Sequence, residues 1–150
     1  MPGAGKVRKA REDDIPALLG LIESLFAIET DFTFEPAGTE RALRMILAGP
    51  DAQILVYEAD GRVLGTATLH TIVSTAQGGL AGQVEDVVVA RGAQGRGIGR
   101  KLMDAVAEEA RARGIVRLQL FADKKNDPAL KFYAANGWSE LDLIGRRKML

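Results

Sequence analysis

The segment that most constrains this chain runs from an apolar strand into a glycine-rich loop and then into a helix. Val87, Val88 and Val89 precede the loop Gln94-Gly95-Arg96-Gly97-Ile98-Gly99, and an amphipathic pattern follows at once. Glycine adopts positive φ without strain and has no Cβ to keep a ligand off the backbone. The first N–H groups of a helix lack intrahelical partners, and the helix dipole attracts anions to that end. The segment therefore predicts a backbone cup for a phosphate or diphosphate.

Two common phosphate-binding loops do not fit this pattern. A dinucleotide-binding loop needs a later third glycine and an acid about twenty residues further on, whereas the region around Gln119 carries no acid. A nucleoside-triphosphate loop needs Gly-Lys followed by Ser or Thr, whereas this chain has Gly99-Arg100-Lys101-Leu102. The ligand is therefore expected to be a different phosphate compound.

A second informative segment lies downstream, from Asn126 to Trp138. Asp127 is a good N-cap residue, Pro128 suits the first helical position, and Gly137 suits the position just after a helix. The pattern predicts a helix from Pro128 to about residue 136.

In this order, the two segments resemble the GNAT superfamily of acyl-CoA-dependent N-acetyltransferases. They match its Q/R-x-x-G-x-G/A loop and its N-x₆-Y segment, so the motifs cover residues 84–138 and the remainder matches in element order. The resemblance implies acetyl-CoA as cosubstrate. The residues implied to bind it are Val87, Val88, Val89, Gln94, Gly95, Arg96, Gly97, Ile98, Gly99, Arg100 and Asn126.

By the same resemblance, Tyr133 protonates the departing CoA thiolate, a role that suits a weakly acidic phenol. The alternative is a core aromatic, because Ala129, Phe132 and Tyr133 share one helical face. For Asn126 the alternative to cofactor contact is a turn that hydrogen-bonds its own backbone.

Glu85 is the expected general base, a position where many relatives carry glutamate. Asp86 and a purely structural role remain alternatives. Adjacent acids in a regular strand point to opposite faces, so one of them must line a cleft or find a partner. Some protein-acetylating relatives place the base on the strand after the helix, where this chain has Phe121, so that assignment does not transfer.

The acceptor side is implied by the family at Glu29, Asp31 and Glu35, between the first two predicted helices. Their carboxylates would suit a cationic amine, although a charged surface loop is the more common explanation for such residues. His70, the only histidine, is either a base or cleft residue, or a buried ring with satisfied nitrogens.

Composition limits the remaining possibilities. The 150 residues predict a single domain, 1–150. Lys plus Arg equals Asp plus Glu at 20 each, so no net field favours nucleic acid or membrane. The chain has no cysteine, which excludes disulfides and thiolate catalysis. No apolar run approaches the roughly 18 residues of a membrane span, and we expect a cytoplasmic protein without a metal.

Periodicity and turn signals predict the element order β-α-α-β-β-β-α-β-α-β-β. Asp60-Gly61 predicts a tight hairpin, and Gly145 predicts the turn of a closing hairpin. The first predicted helix is capped by Asp13 or Asp14 and has apolar positions from Ile15 to Phe26, and the other predicted helices cover residues 39–48, 97–113 and 128–136. The predicted strands cover residues 7–10, 53–59, 63–74, 83–90, 116–121, 139–144 and 146–150. We therefore expect an α/β GNAT fold, with a mixed sheet of about six or seven strands and about four helices.

The predicted function is N-acetylation of a primary amine on a small molecule, by direct attack on acetyl-CoA in a ternary complex. Two alternatives remain open: a protein N-terminal or lysine acetyltransferase, and a non-catalytic CoA-binding sensor. The resemblance is also compatible with a homodimer.

Overall fold

A computed structural model describes residues 4–150 of the chain. The described residues divide into two compact units, one extending to Gln119 and the other covering Leu120–Leu150. The helices are α1 (Ile15–Phe26), α2 (Pro36–Ala48), α3 (Ile98–Ala112) and α4 (Asp127–Ala135). The strands are β1 (Lys6–Lys9), β2 (Ala52–Ala59), β3 (Arg62–Ser74), β4 (Gly79–Val89) and β5 (Leu118–Leu120).

The five strands form one mixed α/β sheet in the order β1-β2-β3-β4-β5. The pairs β1–β2, β2–β3 and β3–β4 are antiparallel. Asp60 and Gly61, with φ of 50° and 72°, make the hairpin turn between β2 and β3, as the sequence predicts. Helix α3 connects β4 to β5, which is the type of connection that parallel neighbours require.

The side chains of β2 alternate between two helical layers. Ile54 and Val56 are buried in a core with Leu18 and Leu43 of α1 and α2. On the opposite face, Gly65 of the neighbouring strand lies against α3, since a Cβ there would come within 3.0 Å of a Leu102 methyl group. The sheet therefore has an α1–α2 face and an α3 face.

Helix α3 has a regular amphipathic stripe and a well-defined end. Its buried residues, at helical spacing, are Ile98, Leu102, Met103, Val106 and Ala110. Gly114 at φ 79° ends the helix, and the Ile115 N–H donates to the Ala110 carbonyl at 2.9 Å. This is a Schellman ending, which places the chain for the return to β5.

A buried ion pair ties β1 to the start of α1. Arg8 donates to both oxygens of Asp14, at 2.8 and 2.9 Å, and also to Glu58. The hydrogen bond from Arg8 is the main reason that the pKa of Asp14 lies below its ordinary value. Removing either charge would leave the other poorly compensated beside the core.

Two predicted helix boundaries and the closing hairpin were wrong. Helix α2 starts at Pro36 rather than residue 39, because the Glu35 carboxylate accepts from the Ala37 and Gly38 N–H groups. The N-cap of α4 is Asn126, not Asp127. The predicted strands 139–144 and 146–150 are absent, so the sheet has five strands rather than six or seven, while the four helices are as expected.

The physical reason lies in the requirements of a strand. Alternating apolar residues make a strand only when a neighbour takes the backbone hydrogen bonds and a core takes the side chains. In the segment 139–150, Leu143 and Ile144 are exposed, at 81% and 73%. Sequence alternation had no packing to support it there.

Candidate active site

The loop between β4 and α3 contains backbone N–H groups that have no acceptor within the described part of the chain. Gly95 and Gly97 adopt φ of 76° and 77°, and a Cβ at either residue would meet nothing within 4 Å. Within residues 4–150, no backbone N–H from residue 94 to residue 100 donates a hydrogen bond to the protein. Successive free amides at the start of a helix of this length form an anion-binding surface.

The loop is held open by its own side chains. The Gln94 amide donates to the Val89 carbonyl at 3.3 Å, and the Arg96 guanidinium donates to the Gly92 carbonyl at 3.1 Å. Ala93 and Ile98 are buried on either side of the turn. The exposed side chains of Gln94 and Arg96 thus tie the loop to the backbone at residues 89 and 92.

Four cationic residues lie in or next to the loop along the chain, and all are exposed: Arg91, Arg96, Arg100 and Lys101. The Lys101 ammonium lies 5.7 Å from the centre of the Tyr57 ring, so it is also engaged with the sheet. The combination of free amides and nearby cations favours a multiply charged anion over a neutral ligand.

Val87, Val88 and Val89 continue β4 toward the loop. Val88 is buried against Leu21 and Leu25 of α1. The Gly82 N–H donates to the Arg117 carbonyl at 2.9 Å, which sets the start of the three-residue strand β5 beside Gly82. Because β5 has only three residues, the three valines lie beyond its end along β4.

A β-bulge interrupts β4 just before these valines. Thr66 pairs with Val88 and Thr68 with Glu85, so Ala67 opposes both Asp86 and Val87. Asp86 takes φ of 53°, a left-handed conformation that Asp tolerates better than most residues. The strict alternation expected for Glu85 and Asp86 therefore does not hold at this point.

Asp86 is half-buried, and its carboxyl group interacts with two ionisable neighbours. Burial, with a smaller contribution from the negative charge of Glu85, raises the pKa of Asp86 to about 6, and His70 opposes part of the rise. Such a carboxyl group changes charge close to neutral pH, which is the range where a proton acceptor for an amine is effective.

Glu85 and His70 lie side by side on β4 and β3. The Glu85 Oε2 atom is 3.7 Å from His70 Nε2, and their side chains are 54% and 31% exposed. His70 is therefore an accessible residue beside two carboxyl groups rather than an enclosed core ring. The structure brings together His70, Glu85 and Asp86.

On the same face of the sheet as His70, a hydrogen bond joins two glutamines that the sequence analysis missed. Gln119 Nε2 donates to Gln83 Oε1 at 3.2 Å, and Gln83 stands directly opposite His70. No local pattern marks these residues, because their proximity depends on the strand register and on the β4–β5 neighbourhood.

The connection between α1 and α2 combines aromatic packing with acids. Phe26 contacts Phe32 and Phe34, with ring centres 5.4 and 6.5 Å apart. Glu35 uses its carboxylate to cap α2, with Oε2 only 2.6 Å from the Gly38 nitrogen. Glu29 is half-buried and Asp31 exposed.

In the second unit, α4 carries Asn126 and Tyr133. Asn126 Oδ1 accepts from the Ala129 N–H at 3.3 Å, so the side chain caps the helix. Tyr133 is half-buried, with its ring centre 5.3 Å from that of Phe132 and 6.0 Å from that of Trp138. Gly137, at φ 87°, ends the helix as predicted.

Residues 4–150 contain no cluster of three His, Cys, Asp or Glu side chains that could hold a metal ion. The same part of the chain contains no helix long and apolar enough to cross a membrane.

Comparison with known proteins places this geometry in a family. The model of the acetyltransferase (GNAT) family matches residues 22–138. No curated protein matches the chain.

Several solved structures share the fold at low sequence identity. A transcriptional regulator from Bacillus halodurans C-125 is 24% identical, with a TM-score of 0.86, over 98% of this chain and 100% of that one. An aminoglycoside acetyltransferase from an uncultured soil metagenomic sample is 22% identical, with a TM-score of 0.80, over 97% and 96%. Glucosamine-6-phosphate N-acetyltransferase from Arabidopsis thaliana is 22% identical, with a TM-score of 0.78, over 97% and 99%.

The family match includes β4, the open loop, α3 and α4, which are the elements that carry the two motifs. This chain belongs to the acetyltransferase (GNAT) family.

Proposed function

We propose that this protein transfers the acetyl group of acetyl-CoA to a primary amine of a small molecule, by direct attack in a ternary complex. The observation that carries the proposal is the row of unpaired backbone amides at residues 94–100. A diphosphate is the part of CoA that such a row fits, and Arg91, Arg96 and Arg100 add positive charge around it. Beside it, the part of β4 beyond the end of β5, at Val87, Val88 and Val89, offers backbone groups to the pantetheine amides.

In the proposed reaction, the amine nitrogen attacks the thioester carbonyl carbon. The new C–N bond forms, the C–S bond breaks, and the thiolate leaves with the electron pair. A backbone N–H near Val87 or Val88 stabilises the oxyanion, a contribution typically worth about 3 kcal/mol. Glu85 accepts the amine proton, directly or through water, and Tyr133 donates a proton to the thiolate sulfur.

The residues of the second unit complete this proposal. Tyr133 supplies the proton. Asn126 contacts the cofactor through its side-chain NH2 group, while its side-chain oxygen Oδ1 caps α4. On the acceptor side we propose Glu29, Asp31 and His70 as the residues that contact the amine. Glu35 has a competing structural role, since it caps α2.

Direct transfer is favoured over a covalent acyl-enzyme because the sequence contains no cysteine to serve as a thiolate nucleophile. We further propose that the protein works in the cytoplasm, and that a homodimer is its assembled form.

The test combines binding and turnover. Calorimetry with acetyl-CoA measures cofactor binding, and thiol release with a panel of amines measures transfer. We expect Tyr133→Phe to lower kcat by about 100-fold with unchanged acetyl-CoA affinity, since a proton donor typically contributes this much. The matched control is Tyr57→Phe, at the chain's other tyrosine, which should leave kcat unchanged.

Each contrary result has a distinct meaning. If wild type binds acetyl-CoA but no amine releases thiol, the protein is a CoA sensor. If only peptides serve as acceptors, it is a protein acetyltransferase. Failure of wild type to bind acetyl-CoA refutes the proposal as a whole.

A further inference from the structure

Three polar side chains from adjacent strands form a continuous patch on the sheet, which we call the polar strip: His70, Gln83 and Gln119. His70 and Gln83 are directly opposite each other on β3 and β4, and Gln119 of β5 donates to Gln83 at 3.2 Å. All three are half-buried. The polar strip therefore crosses three strands in one row.

The register assigns the polar strip to the α1–α2 face. Ile54 and Val56, on that face, are paired with Thr68 and Thr66 of β3. Directly opposite residues share a face, and so do residues two apart along a strand. His70 therefore lies on the α1–α2 face, away from α3.

The exposure of the side chains on this face changes along the strands. Where α1 and α2 cover it, the side chains are closed off, with Ile54 and Val56 at 1% and 0% exposure, and the buried Thr66 hydroxyl donates to the Leu55 carbonyl. At the polar strip, the side chains on this face are amide and imidazole groups, and they remain partly accessible. A face that served only for packing would keep its side chains closed off and its polar groups partnered within the protein, because buried polar groups without enough partners are costly.

The hydrogen-bonding capacity of the polar strip exceeds what the protein uses. A glutamine side chain offers two N–H donors and a carbonyl oxygen with two lone pairs, and the Gln83–Gln119 bond takes one donor and one lone pair. The remaining groups both donate and accept. Hydroxyl groups are the neutral ligands that do the same, so a row of amides suits an alcohol or a sugar better than it suits a cation.

We infer that the polar strip binds the hydroxyl groups of the acceptor, and that the acceptor is a hydroxylated small amine such as an amino sugar. This inference rests on the proposed function. Glu85 joins the polar strip to the reaction centre, since its carboxylate lies 3.7 Å from His70 and it follows Gln83 by two residues on the same face. The amine is held at Glu85 while the hydroxyl groups lie over Gln83 and Gln119.

The experiment compares two amines with similar rings, glucosamine and cyclohexylamine. The variants are Gln83→Leu and Gln119→Leu, with Gln83→Met as a second variant in case a leucine disturbs folding. The matched control is Gln77→Leu, which removes an exposed amide at the β3–β4 turn, outside the polar strip. Circular dichroism and acetyl-CoA affinity verify that each variant is folded.

We expect wild type to prefer glucosamine in kcat/KM, and each strip variant to reduce the glucosamine-to-cyclohexylamine ratio by about tenfold, as for loss of a hydrogen bond. Turnover of cyclohexylamine and acetyl-CoA affinity should not change, and the control should behave as wild type. An unchanged ratio in the strip variants overturns the inference while leaving the acetyltransferase proposal intact.

A direct binding measurement distinguishes failure of the polar-strip inference from failure of the proposed function. Saturation-transfer NMR with glucosamine should show binding to wild type and to Gln77→Leu, and weaker binding to the strip variants. If no amine is turned over but this pattern holds, the proposed function is wrong and the polar strip is still a hydroxyl-binding surface. If wild type fails to bind glucosamine, the inference is wrong.

Discussion

The glycine loop at residues 94–100 and the α1–α2 connection at residues 27–35 both carry polar groups, but they use them in opposite ways. In the loop, the side chains of Gln94 and Arg96 brace the turn, and the backbone amides stay unpaired. In the connection, the Glu35 carboxylate already accepts hydrogen bonds from N–H groups in the first turn of α2. A ligand site built from backbone amides depends on the conformation of the chain. A ligand site built from side chains depends on whether those side chains already have hydrogen-bond partners within the protein.

The strongest test of the backbone site is Gly97→Val. A β-branched residue at φ 77° strains the loop and turns amides away from the diphosphate. We expect acetyl-CoA affinity to fall by about 1000-fold, from strain plus lost charge-assisted hydrogen bonds, as measured by calorimetry.

The control for that substitution is Gly114→Val. Gly114 has φ 79° at the far end of α3, so it carries the same backbone penalty away from the loop. Both variants should lose stability by about 1–3 kcal/mol, while only Gly97→Val loses acetyl-CoA. Equal affinities in the two variants would contradict the loop assignment.

Glu85→Gln tests the proposed general base, which is a side chain rather than a backbone group of the site. Removing a general base should lower kcat by about 100-fold, with unchanged acetyl-CoA affinity. Glu108→Gln, at an exposed acid on α3, is the matched control for loss of one negative charge. If Asp86→Asn abolishes turnover and Glu85→Gln does not, Asp86 is the base.

Asp86 also predicts a pH dependence of stability. Its pKa of about 6 lies above the ordinary value of 3.8, so the folded state holds the proton more tightly than the unfolded state. The contribution of this group to the free energy of unfolding is therefore greatest below pH 4 and falls as the pH rises through about 6.

In Asp86→Asn this loss disappears, and Asn keeps the left-handed backbone conformation. Relative to wild type, the variant should gain about 2 kcal/mol between pH 4 and pH 7.5 in urea unfolding, a value reduced for partial exposure. A constant difference between the two proteins over that range would show that Asp86 has an ordinary pKa.

The smallest change in the free energy of unfolding is expected for substitutions at Glu35. Loss of the helix cap in Glu35→Ala should lower the free energy of unfolding by about 1 kcal/mol, and Glu35→Asp should restore it. KM for the amine should stay unchanged if the carboxylate is only structural. A rise in KM in both variants would instead place Glu35 in the acceptor site, as the family resemblance implies.

Local signals predicted much of the fold and part of the candidate site. Asp60-Gly61, Gly114 and Gly137 all adopt the positive φ that their turn or helix-end roles require. Helix α1 matches its prediction because its apolar spacing and its burial coincide. The boundary of α2 was missed because a glutamate is an unusual N-cap, and its role depends on the close approach that Gly38 permits.

The sequence by itself determined the glycine loop, the amphipathic helix after it and the family, since these depend on residues that are neighbours along the chain. Only the tertiary structure decided the bulge that turns Asp86, the pairing of His70 with Glu85 and the contact between Gln83 and Gln119. Those features arise from strand register and sheet order, which bring together residues far apart in sequence. The same requirement for partners left the segment 139–150 without strands, although its local pattern favoured them.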